Sequence, residues 1–164
     1  MKEMKVIWYV LKCPKENERE YIEKCQEMPE EQKQQDIICF QYQRMLRYGG
    51  DWHLEKRRLL PGYIFLSGTK AMKMKRELKE DPSISLIPCS VSYLKSLCSE
   101  DNLIEISKGI IKRGVPVVLN GPLKGREYLI RKIDRHKRIA ELEVPFAGKD
   151  TRIIVGLEIC KKEK

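Results

Sequence analysis

Apolar and polar positions follow different periods in the two halves of this 164-residue chain. Residues 6–11, Val-Ile-Trp-Tyr-Val-Leu, are rich in β-branched and aromatic side chains and predict a buried strand that Pro14 ends. Tyr21, Ile22, Cys25 and Met28 recur at helical spacing, which predicts a helix over residues 16–28 closed by Pro29. A polar connection follows. Residues 36–47 open with Ile37, Ile38 and Phe40 and then turn amphipathic and basic. With residues 52–60 they predict a strand running into an exposed hairpin about Tyr48-Gly49-Gly50-Asp51, where two glycines supply positive φ twice. The next stretch is Leu59-Leu60-Pro61-Gly62-Tyr63-Ile64-Phe65-Leu66. Pro61 has no amide donor and suits the start or edge of a strand, and Gly62 lets the backbone bend or approach a neighbour. Tyr63 and Phe65 fall on one face and Ile64 and Leu66 on the other, so the strand is expected to be covered on both sides.

Residues 70–79 predict a helix with Met72 or Met74 and Leu78 inward, broken by Pro82. Residues 84–88 form a short strand, and residues 90–99 a helix with Val91, Leu94, Leu97 and Cys98 on one face. The order β-α-β-β-β-α-β-α predicts an α+β sandwich, an antiparallel sheet with helices packed on it, ferredoxin-like or a related split arrangement. Residues 99–112 show no clear regular element. Afterwards the pattern is all β, over 115–119, 127–134, 138–145 and 152–155, with turns at Asn120-Gly121-Pro122, Lys124-Gly125, Asp134-Arg135-His136-Lys137 and Ala147-Gly148-Lys149. Such a run predicts a small all-β barrel whose core is marginal at that size. The expected organisation is a first domain over 1–99, a linker over 100–112 and a second domain over 113–164.

Charge adds a direction. The net charge is +9, with 41% hydrophobic and 35% charged residues. Residues 15–36 carry four Lys/Arg against eight Asp/Glu, residues 44–79 ten against three, and residues 106–164 fifteen against seven. An acidic helix beside two basic regions implies oriented binding of an acidic partner, nucleic acid before a membrane surface. No apolar run approaches the ~18 residues of a membrane span, and 6–11 is too short for a signal core, so a cytoplasmic protein is expected; a monomer is a separate expectation. The six cysteines include no Cys-Xaa-Xaa-Cys pair and there are only two histidines, so neither a metal nor another cofactor is expected. There is no phosphate loop, no Gly-Xaa-Ser-Xaa-Gly and no nucleophile with an evident partner, and the chain is read as a non-enzyme.

The Trp8-Tyr9-Val10 strand, the Leu60-Pro61-Gly62-Tyr63-Ile64-Phe65 strand and the run Val117-Val118-Leu119-Asn120-Gly121-Pro122-Leu123-Lys124-Gly125 together resemble the NusG family of transcription elongation factors. The first two look like the family's N-terminal domain and the third like its SH3-like KOW barrel, in the family's order. The family's usual Gly-Xaa-Glu after the first strand is missing, and Lys15-Glu16-Asn17-Glu18 stands there. Gly121–Gly125 with the basic run Ile133-Asp134-Arg135-His136-Lys137-Arg138 is similar to the specialised LoaP subgroup. The resemblance implies an operon-specific antitermination factor that binds bacterial RNA polymerase and is recruited by an RNA hairpin in the leader transcript. A general NusG-like factor whose barrel tethers Rho or the ribosome, and a ribosome-associated KOW protein binding structural RNA, are the competing readings.

Three candidate sites follow. In the family an apolar patch docks on a coiled coil of the polymerase β′ subunit. The matching positions are Tyr63 and Phe65, with Leu11 and Ile87 on neighbouring strands; Tyr63 and Phe65 suit a core equally well, and Trp8 is assigned to the core. The second site is the basic hairpin and adjoining helix: Arg44, Arg47, His53, Lys56, Arg57 and Arg58, then Lys70, Lys73, Lys75 and Arg76. Guanidinium groups fork onto phosphates, and Tyr48 and Trp52 at the tip can stack on unpaired bases of a structured RNA or a single DNA strand. The resemblance gives the helix near Lys70 a second use, contact with the polymerase β subunit. The third site is the turn Arg135-His136-Lys137-Arg138 with Lys124 and Arg126, where clustered cations repel one another unless an anion is present. A basic turn that only supports domain docking is its plain alternative.

Overall fold

The computed structural model describes residues 8–27, 37–77, 85–146 and 148–164. The expected strand start at Val6 and Ile7, the helix end at Met28 and Pro29, the polar connection after it and residues 78–84 lie outside these, as do the side chains of Lys70 and Lys73. In chain order the elements are β1 (Trp8–Lys12), α1 (Glu18–Glu27), β2 (Ile37–Ile38), β3 (Gln41–Tyr48), β4 (Asp51–Arg58), β5 (Tyr63–Ser67), α2 (Gly68–Glu77), β6 (Ser85–Cys89), α3 (Ser92–Leu97), β7 (Leu103–Ile104), β8 (Ser107–Lys112), β9 (Val115–Asn120), β10 (Ile130–Asp134), β11 (Ile139–Phe146) and β12 (Lys149–Glu163). Strands thus predominate, with a few helices, as an α+β part and a β part require. No described helix is long and apolar enough to cross a membrane.

Two compact units form, and neither is continuous in sequence. The first draws on Met1–Cys39 and Leu60–Val91, the second on Phe40–Leu59 and Ser92–Lys164. The expected division at residues 99–112 therefore differs from the one observed. The hairpin and α3 group with the C-terminal strands.

In the first unit the strand order is β2-β5-β1-β6, with every neighbouring pair antiparallel. The connection β1-α1-β2 leaves a gap that β5 fills, which is the split arrangement expected from the element order. Register then decides which side chains meet. Leu11 lies opposite Ile64, and both join Leu66, Tyr21 of α1 and Ala71 and Met74 of α2 in one buried cluster. Val10 lies opposite both Phe65 and Ile87, so these three share the other face. Leu11 is therefore not on the same face as Tyr63, Phe65 and Ile87, a correction that follows from the period-2 alternation of strands. Leu11 and Phe65 are both 0% exposed. Fully burying side chains of this size contributes about 1.5–3 kcal/mol each, and both are core residues in this structure. The Pro-Gly stretch enters β5 through a fixed bend. Gly62 has φ +87°, the Cys13 amide donates to its carbonyl at 2.8 Å, and a Cβ there would stand 2.7 Å from the Cys13 oxygen.

In the second unit a five-stranded sheet runs β10-β11-β12-β8-β9. The long β12 serves two partners: Lys149–Gly156 pair antiparallel with β11, and Leu157–Glu163 pair parallel with β8. Leu123, Leu142, Val144, Val155 and Leu157 are among its buried side chains. A second sheet, β4-β3-β7, has β3 parallel to β7. It meets the first where a Cβ on Gly156 of β12 would lie 2.3 Å from the Gln43 carbonyl oxygen of β3. Residues 100–112, expected to be a linker, hold β7 and β8. Gly109 hides the strand in the sequence, and it is needed because a Cβ there would lie 2.5 Å from the Val117 oxygen of β9.

Candidate nucleic-acid interface

Strands β3 and β4 pair in register from Gln41↔Arg58 to Tyr48↔Asp51. Gly49 and Gly50 close the turn with φ of 63° and 84°, as the sequence predicts. The hairpin is not a free arm. Its Gln43 Oε1 accepts the Ile106 amide at 3.2 Å, and an Arg44 guanidinium nitrogen donates to the Lys137 carbonyl at 3.4 Å. The Arg138 guanidinium lies 3.8 Å from the centre of the Trp52 ring and pairs with Glu158 at 3.0 Å. Two basic segments that the sequence lists separately, the hairpin and the 135–138 turn, are thereby one surface.

The turn is shaped from within. Asp134 Oδ1 accepts the Lys137 amide at 3.0 Å, and this hydrogen bond, first among its causes, holds the Asp134 carboxyl below its usual value. Arg138 leaves the turn at φ +54°, a left-handed conformation that a non-glycine residue adopts only when its surroundings fix it. Arg135, His136 and Lys137 are exposed.

At the hairpin tip the Tyr48 and His53 rings are stacked, 3.8 Å apart and 9° from parallel, and His53 Nε2 lies 3.1 Å from the Tyr48 carbonyl oxygen. The Tyr48 hydroxyl is hydrogen-bonded to Glu55, which raises the phenol pKa and lowers that of the carboxyl. Arg57 pairs with the same carboxylate at 2.8 Å. Tyr48 remains 53% exposed, so the ordered His53–Tyr48 stack presents an aromatic surface. Trp52 is half-buried. Arg138 covers one of its faces, and it anchors the hairpin.

Three acidic groups of this surface are engaged internally, Glu55 by Tyr48 and Arg57, Asp134 by the turn backbone and Glu158 by Arg138 and Lys108, while Asp51 at the hairpin tip is exposed. Arg47, Lys56, Arg135 and Lys137 are exposed and form no salt bridge among the described residues. The surplus is positive, next to stacked aromatics, and suits phosphate with unpaired bases.

Other expected residues stand apart. Arg58 is half-buried beside Gln41. Lys124 and Arg126 precede β10 while the basic turn follows it, and the five residues of that strand separate them by about 15 Å. Arg126 instead donates to Ser96 Oγ of α3 at 2.9 Å. Lys75 and Arg76 are exposed on α2 in the first unit. Of the apolar patch, Ile87 is 39% exposed and Tyr63 is half-buried, with the Lys12 ammonium 5.8 Å from its ring centre. Glu55, Glu158 and Gln43, which orient the surface, were not singled out from sequence. Glu55 directly before the basic run Lys56-Arg57-Arg58 was the one local signal; Gln43 and Glu158 lie on other strands and carry none. Compared with known proteins, the chain matches no protein-family model and no curated protein.

Proposed function

We propose that this chain is a NusG-type transcription factor of the operon-specific kind. Its first unit engages bacterial RNA polymerase, and its hairpin and 135–138 turn take a structured leader RNA or an exposed DNA strand. The observation that carries the reading is the convergence of two basic segments, far apart in sequence, on one surface where the exposed cations Arg47, Lys56, Arg135 and Lys137 outnumber the exposed acid Asp51. A surface of that kind gains from an anionic partner. The split sheet with the Pro61-Gly62 bend entering β5 and a mostly β second unit are compatible with an α+β part and a β part, although the second unit also takes in the hairpin and α3, which the resemblance puts in the first domain. As such a factor it works without catalysis, by binding the elongating polymerase better than the paused one.

The burial of Leu11 and Phe65 favours a second reading, an RNA-binding protein with a KOW-type unit that does not contact polymerase. Transcription by purified bacterial RNA polymerase through two intrinsic terminators, with the native operon leader and with that leader scrambled, separates the two. Leader-dependent readthrough at both terminators supports the first reading. Readthrough independent of the leader points to a general factor. RNA binding without any effect on transcription supports the second reading.

A further inference from the structure

We propose that Tyr128, with Lys124 and Arg126, forms a second nucleic-acid contact that stacks one unpaired base beyond the end of a stem; this rests on the nucleic-acid reading above. Tyr128 lies in the 3-10 turn Glu127–Leu129 before β10 and is 66% exposed. Tyr128 stays largely outside the core, whereas its chain neighbour Leu129 is 5% exposed. Yet the residue is held in place. Its hydroxyl is hydrogen-bonded to that of Tyr93 on α3, and its carbonyl accepts a guanidinium hydrogen of Arg131 at 2.9 Å. An exposed ring that is already ordered loses little further freedom on binding.

The charges around it leave the same kind of surplus as at the hairpin. Glu127 accepts the Gly125 amide at 2.6 Å, and Glu143 is paired with Arg131 at 2.9 Å. Arg126 is held by the neutral Ser96 hydroxyl, and Lys124 is exposed with no salt bridge among the described residues. A fixed aromatic face flanked by cations favours a base and its phosphate over an apolar protein surface. The site stands at the end of β10 opposite the 135–138 turn, so a strand leaving a stem held by the turn reaches it after about 15 Å, two to three nucleotides.

The test uses the full chain and two RNAs, a blunt stem-loop and the same stem-loop with a five-uridine 3′ tail, in fluorescence anisotropy at several salt concentrations. Tyr128→Ala should weaken binding of the tailed RNA by about tenfold, leave the blunt RNA unchanged and leave the salt slope unchanged, because stacking releases no counterions. Tyr128→Phe keeps the stacking face but loses the Tyr93 hydrogen bond, and should weaken the tailed RNA less than Tyr128→Ala does while leaving the blunt RNA unchanged. Arg47→Ala with Lys56→Ala should weaken both RNAs and flatten the slope. Equal affinity of Tyr128→Ala and the natural chain for the tailed RNA overturns the inference and leaves the hairpin reading standing. So does equal loss on both RNAs. Binding of neither RNA by the natural chain removes both.

Discussion

The Glu18 carboxylate accepts the Gly62 amide hydrogen at 2.5 Å, in a buried contact across 44 residues. It ties the start of α1 to the bend before β5. The sequence showed only that a Gly-Xaa-Glu was missing after the first strand, whereas the fold puts Glu18 to work at that bend.

Glu18→Ala should lower stability by about 1–3 kcal/mol, the cost of a buried amide left without an acceptor. Gly62→Ala should cost more, because it adds a Cβ 2.7 Å from the Cys13 oxygen at a left-handed φ. Urea unfolding of the two variants checks both. A natural midpoint for Glu18→Ala would remove the latch.

The Trp52–Arg138 contact should be measurable as a coupling. A double-mutant cycle with Trp52→Ala and Arg138→Ala is expected to return about 0.5–2 kcal/mol. Arg138→Ala alone should exceed this, since it also leaves Glu158 without that partner. Zero coupling would make the guanidinium a bystander on the ring.

Gly156→Ala should cost about 1–3 kcal/mol and act on the hairpin first, since the new methyl group points at the Gln43 carbonyl. Amide hydrogen exchange in residues 41–58 should accelerate more than in 139–146. Uniform acceleration would mean that the hairpin and the five-stranded sheet open together.

The 135–138 turn should loosen in acid. The Asp134 pKa is lowered in the fold, so its contribution is complete above the unfolded carboxyl value of about 3.9 and is lost as pH falls through the lower folded value. The Lys137 amide resonance should titrate in that range. Asp134→Asn keeps an acceptor oxygen and should abolish the titration.

Thiol reactivity should follow burial. Desolvation raises the Cys89 and Cys98 thiols to about 11, and Cys98 also donates to the Leu94 carbonyl at 3.1 Å. Cys160 is exposed. At pH 8 iodoacetamide should modify Cys160 first, with Cys89 and Cys98 following only as the pH approaches 11. Early modification of Cys98 would show that α3 opens locally.

The periodic parts of the fold were legible. The two-sided apolar strand at Tyr63–Ser67 is interior, and Gly49-Gly50 makes the predicted turn. Strand β8 was not legible, because Gly109 serves a close approach by a strand nine residues further on and breaks the local pattern. Of the site, residue types were legible but not their partners. Leu11 looked like Phe65 until the register set them on opposite faces, and Trp52 looked free until Arg138 was found on it. Long-range contacts carry no local periodicity, so a single sequence cannot display them.

The division into units has a consequence for how the chain acquires its structure. Residues Phe40–Leu59 leave the ribosome well before the Ser92–Lys164 segment on which they pack. Until then the hairpin is a lone pair of strands, which is marginal by itself. Completion of the second unit therefore awaits the C-terminus, and its pairings of high contact order make that step slow. A fragment cut at residue 99 or 112 would strand the hairpin on the wrong piece.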